Sequence, residues 1–144
     1  MQATTIRPKI TVTADGQGVA SHVGSRLLAD LGAMTGLDQA FADAAGGGRQ
    51  RRSAHDPGRV LTDLAVLLAD GGETISDLGV LRDQPGLFGQ VASTATAWRV
   101  LESIGDAGLV RLRAARASAR ERAWLARAIC ALSYWRGRAG RALT

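Results

Sequence analysis

The chain has 144 residues, a net charge of +5, and 46% hydrophobic residues of which few are aromatic. That length allows one domain, or one domain and a tail, with a core of aliphatic side chains and alanine. A single cysteine, Cys130, excludes an intramolecular disulfide and a multi-cysteine metal site, and reads as a small buried filler. No apolar run reaches the roughly 18 residues of a membrane span, and the N-terminus lacks the apolar stretch of a signal peptide. The expected location is therefore cytoplasmic, with no membrane partner.

Residues 9–23 are predicted as a β-hairpin. Ile10, Val12, Val19 and Val23 are β-formers, and Asp15-Gly16-Gln17-Gly18 tolerates the positive φ of a tight turn. Everything after it reads as helix. Ser25 to about Met34 forms a short helix with Leu27, Leu28 and Leu31 inward, interrupted by Gly36. Asp38 caps a second, with Leu37, Ala40, Phe41 and Ala44 on its apolar side, ended by Gly46-Gly47-Gly48. A basic loop, Arg49-Gln50-Arg51-Arg52-Ser53, follows.

Asp56-Pro57 is a helix start: the aspartate accepts from free N–H groups, and proline loses nothing at the first helical position. This helix runs to about Ala69 and stops at Gly71-Gly72. Val60, Leu61, Leu64, Leu67 and Leu68 share one side, and Arg59, Thr62, Asp63 and Asp70 the other. It reads as the central core helix. Thr74 caps a short helix with Ile75, Leu78 and Leu81 inward, and Pro85-Gly86 and Gly89 mark a loop.

Ser93 caps a helix through Ile104. Ala97, Trp98, Val100, Leu101 and Ile104 form its buried face, and Thr96, Arg99, Glu102 and Ser103 the opposite one. Asp106 to about Ala128 is the longest helix, with Val110, Ala114, Ala117, Trp124 and Ala128 as its apolar stripe. After it, periodicity is lost. The expected fold is mainly α. A small hairpin (1–24) precedes a helical body (25–128) with a helix-turn-helix-like bundle of short helices centred on 57–69, 74–82 and 94–104. The long C-terminal helix packs across them, and an irregular tail (129–144) ends the chain.

The charge is polarised. Residues 107–144 hold nine arginines and one acid, Glu121, a net of +8, while residues 1–106 carry −3. A second cluster is Arg49, Arg51, Arg52 and Arg59. Guanidinium groups suit phosphate, because their planar fork donates two parallel hydrogen bonds to oxyanions. Solvated surface arginine is the competing explanation.

Catalytic constellations are not legible. His22 and His55 lie far apart, each without a ligand-spaced partner. No phosphate-binding glycine loop is present. Asp56, Asp63, Asp70 and Asp77 recur every seven residues, a helical rise of about 10 Å, too far for two carboxylates to share an ion. They read as one cap and a solvated face. No catalytic and no metal-ligating residue is assigned.

The stretch from His55 to Ile104 is nevertheless distinctive. It contains His55-Asp56-Pro57-Gly58-Arg59, Ala69-Asp70-Gly71-Gly72, Leu81-Arg82-Asp83-Gln84-Pro85 with Leu87-Phe88-Gly89, and Ser93, Thr96 and Trp98-Arg99-Val100-Leu101. With Val12-Thr13-Ala14-Asp15-Gly16 and the arginine-rich Arg111–Trp124 helix, this resembles the N-terminal region of bacterial insertion-sequence transposases of the DDE group 1 family, over about residues 9–127. Such proteins carry a downstream RNase H-like domain whose three carboxylates hold two metal ions.

The resemblance implies a transposase truncated before that domain, so that no cofactor is expected and any divalent metal belongs to the missing part. It implies a retained region that recognises the element's terminal repeats in duplex DNA without catalysing strand transfer. The 93–104 helix would offer Thr96 and Arg99 to base edges. Arg49, Arg51, Arg52 and Arg59 would contact phosphates, and Arg113, Arg116 and Arg120 would line the neighbouring backbone. The alternative is a helical interaction module, a pseudogene product that pairs with full-length transposase or with itself through the Val110/Ala114/Ala117/Trp124 stripe.

Overall fold

A computed structural model describes residue 9, residues 22–45 and residues 55–139, with side chains described as far as 128. The helices are α1 (Val23–Met34), α2 (Leu37–Ala44), α3 (Pro57–Ala69), α4 (Leu78–Arg82), α5 (Pro85–Phe88), α6 (Thr94–Glu102) and α7 (Asp106–Ala139), with one 3-10 turn at Ile75–Asp77. The mainly helical expectation holds. The hairpin falls on residues 10–21, which lie outside the described residues; at its expected end Val23 opens α1 rather than closing a strand, and no strand occurs among the described residues.

The local signals worked where capping chemistry decided them. The Asp56 carboxylate accepts from Gly58 N at 2.8 Å, with Pro57 in the first turn. Ser93 Oγ accepts from Thr96 N at 3.3 Å and opens α6. α3 ends at Ala69, and Gly71 supplies φ +96, a conformation side-chain-bearing residues rarely adopt.

α3 is the central helix. Val60, Leu61, Val66 and Leu67 join Phe41, Leu78, Leu81, Phe88, Val91, Ala97 and Val100 in the core. Its polar side is also buried, against expectation. Arg59, Thr62 and Asp63 are 5%, 1% and 2% exposed, whereas Leu68 faces solvent. Arg59 Nε lies 3.1 Å from both Asp63 carboxylate oxygens, and its Nη2 donates to the Phe88 carbonyl. Arg26 of α1, also buried, pairs with Asp30 and donates to the Leu87 carbonyl. Two buried guanidiniums thus hold adjacent carbonyls at the end of α5, where a short helix leaves them without main-chain donors. That segment was expected as a loop.

The faces of α1 and α7 are corrected too. α1 buries Ser25, Arg26, Ala29 and Gly32, and its leucines point outward. α7 docks through Gly108, Leu112, Ala115, Ala119 and Ala123, the side opposite the expected stripe. Val110, Ala114, Ala117, Trp124 and Ala128 are exposed. α3 touches α4 and α6 as the bundle reading requires, but α7 packs chiefly on α2 rather than across that bundle. It also continues helical to Ala139, through the stretch expected to be irregular.

Candidate nucleic-acid interface

The docking stripe of α7 is made of small residues apart from Leu112, and this sets where its arginines stand. Gly108, Ala115 and Ala119 let the helix lie close on the body. On one flank, Arg111 Nε donates to the Ala44 carbonyl at 3.1 Å, filling an acceptor at the C-terminal end of α2. On the same flank the Arg122 guanidinium lies over Gly36, where an added Cβ would be 3.2 Å from Nη1. That places a cation at the junction between the end of α1 and the start of α2.

The other flank carries Arg113, Arg116 and Arg120, all exposed. Among the described residues none of the three is ion-paired. The first and last lie seven positions apart, about 10 Å along the helix. Arg127 follows on this side, with its guanidinium 5.5 Å from the centre of the Trp124 ring.

α6 presents a different face from the one expected. Arg99 is exposed, but Thr96 is half-buried and its hydroxyl lies 3.0 Å from the Ser93 hydroxyl, within the cap. Trp98, assigned to the core, is 54% exposed, and its indole N–H donates to Glu102 Oε1 at 2.6 Å. The i,i+4 spacing of Trp98 and Glu102 was the signal available for this contact.

Arg59 is removed from the surface set by its burial and its partners. Arg49, Arg51 and Arg52 lie outside the described residues, as does the side chain of Cys130. Of the nine candidates, the structure groups Arg113, Arg116 and Arg120 on one helix flank, with Arg99 exposed on α6.

The four evenly spaced aspartates each have structural work. Asp56 caps α3 and Asp63 pairs with Arg59. Asp70 accepts from Ser25 and meets His22 Nδ1 at the start of α1. Asp77 accepts from the N–H groups of Glu73 and Thr74 at 3.0 and 2.8 Å, which hold its carboxyl below the usual range. Among the described residues no group of three His, Cys, Asp or Glu side chains could hold a metal ion. No helix among them is long and apolar enough to cross a membrane.

A protein-family model for the transposase DDE domain group 1 matches residues 2–136. No curated protein and no solved structure matches the chain.

Proposed function

This chain belongs to the transposase DDE domain group 1 family, and we propose that its helical body grips duplex DNA at the terminal repeats of an insertion sequence without itself catalysing strand transfer. The observation that carries this reading is the flank of α7 where Arg113, Arg116 and Arg120 stand exposed, without an acidic partner among the described residues. Exposed, unpaired guanidiniums in a row follow a phosphate backbone and release its counterions. Arg99 supplies a further exposed cation on α6. The non-catalytic half of the proposal is supported by the structural employment of Asp56, Asp63, Asp70 and Asp77.

A mobility-shift titration at low salt, with element-end and random duplexes, tests the grip. The reading requires a shifted complex that weakens steeply as salt rises. No complex with either duplex contradicts it. A cleavage assay with magnesium or manganese tests the second half, and nicked or joined strands overturn it.

A second reading has its own support. Val110 and Trp124 are 64% and 61% exposed on the outer face of α7. Such a face fits pairing with a full-length transposase or with a second copy. A monodisperse monomer in light scattering, with no capture of the intact enzyme, counts against it.

A further inference from the structure

The exposed face of α1 is apolar. Leu27, Leu31 and Met34 recur at i, i+4 and i+7 and are 70%, 48% and 85% exposed. Beside this stripe runs an open groove of about 320 Å³, walled by Leu28 and Leu31 of α1 and by Arg116 and Arg120 of α7, with Val66 and Ala119 between them. The lining surface is almost all carbon, with Thr35 and Thr62 among the residues that form it.

We propose that this groove docks an amphipathic helix of a partner protein, one whose apolar stripe seats against Leu27, Leu28, Leu31 and Met34 and whose acidic residues run along the flank facing α7. Apolar stripes at this spacing are the usual anchors for a helix laid in a groove. α1 has 12 residues, about 18 Å of length, enough for about three turns of a partner helix. Charge selects the occupant. One wall is aliphatic and the other carries two guanidiniums, so acids on a single flank complement it. A second copy meeting this face through its own would bring its Arg116 and Arg120 against a groove whose lining residues include no acid. A DNA duplex has no use for the aliphatic wall. The groove does not depend on the DNA reading, but its arginines are shared with it, so an acidic helix and DNA compete for them.

The test uses the full chain and a labelled synthetic helix of about 18 residues, with leucines at i, i+3, i+4 and i+7 and glutamates along one flank. Companion peptides carry lysine in place of glutamate or a scrambled order. In fluorescence anisotropy the glutamate peptide binds saturably. Leu27→Gln with Leu31→Gln weakens it by about tenfold, and both positions are exposed enough for the fold to tolerate polar groups. Arg116→Glu with Arg120→Glu reverses the preference, so that the lysine peptide binds better, a gain that an unfolded variant cannot show. Equal binding of all three peptides overturns the proposal, as does indifference to the leucine substitutions. A dimer that Leu31→Gln dissolves in sedimentation assigns the groove to a second copy instead. Adsorption to anionic phospholipid vesicles that outcompetes the glutamate peptide assigns it to a membrane surface.

Discussion

Arg59 reaches from the first turn of α3 to the main-chain carbonyl of Phe88, 29 residues further on, while pairing with Asp63 one turn along its own helix. Both side chains are almost wholly inaccessible. The contact joins the central helix to the α5 turn, and it turns an apparent surface cation into an internal strut.

Truncating one member of that pair takes the opposite charge away from a charge that stays buried. Arg59→Met is expected to cost about 3–5 kcal/mol. Replacing both, as Arg59→Met with Asp63→Leu, is expected to cost less than Arg59→Met alone, because the buried carboxylate is removed together with its guanidinium. Urea unfolding of the two variants checks the order. A double variant no more stable than the single one contradicts it.

Close helix approach makes a second prediction. A Cβ on Gly58 would lie 2.2 Å from the Asp38 carbonyl oxygen and 2.6 Å from Ala42 N, both backbone atoms of α2. Gly58→Ala must part α2 from α3 and is expected to destabilise by about 1–3 kcal/mol or more. Gly24, in the first turn of α1, has nothing within 4 Å of its added Cβ. Gly24→Ala is expected to stabilise by up to about 1 kcal/mol through helix propensity. Thermal unfolding should move the two midpoints in opposite directions.

The same close approaches explain which parts of the fold were legible. The starts at Asp56 and Ser93 and the stop at Gly71 came through because these residues act on the backbone beside them, whereas Asp38, expected as a cap, makes no cap bond and Gly36 stands at the start of α2. Faces did not, because periodicity marks where large apolar residues lie, while these helices dock through small ones. α1 turns Ala29 and Gly32 inward, and a Cβ on Gly32 would sit 3.2 Å from Thr62 Cγ2. α7 docks on Gly108, Ala115 and Ala119. In an alanine-rich helix several stripes look equally apolar, and the partner's contour chooses among them. Arg59 was misplaced for a related reason: helical spacing put it opposite the leucines, but a central helix is covered on both sides. The row of Arg113, Arg116 and Arg120 was legible, since it needs only the helical repeat and the absence of acids on that flank.

Asp77 gives a pH dependence. The backbone N–H groups of Thr74 and Glu73 lower its carboxyl below the usual range in the folded chain. A lowered folded value means that this contribution to stability is present above the ordinary carboxylate range and is lost as pH falls through the folded value. Asp77→Asn should therefore be less stable than the parent near neutrality, with the difference shrinking in acid. Unfolding curves at several pH values check this, and a difference that grows on acidification contradicts it.

The central claim is that the α7 flank holds phosphates, and the salt dependence of DNA affinity tests it most directly. For the parent chain, the logarithm of affinity for an element-end duplex should fall linearly with the logarithm of salt concentration. Replacing Arg113, Arg116 and Arg120 with alanine should flatten that slope by about 0.9 for each phosphate that is no longer neutralised, with the unfolding midpoint little changed. An affinity indifferent to salt, or a slope unaltered in the triple variant, would contradict the account.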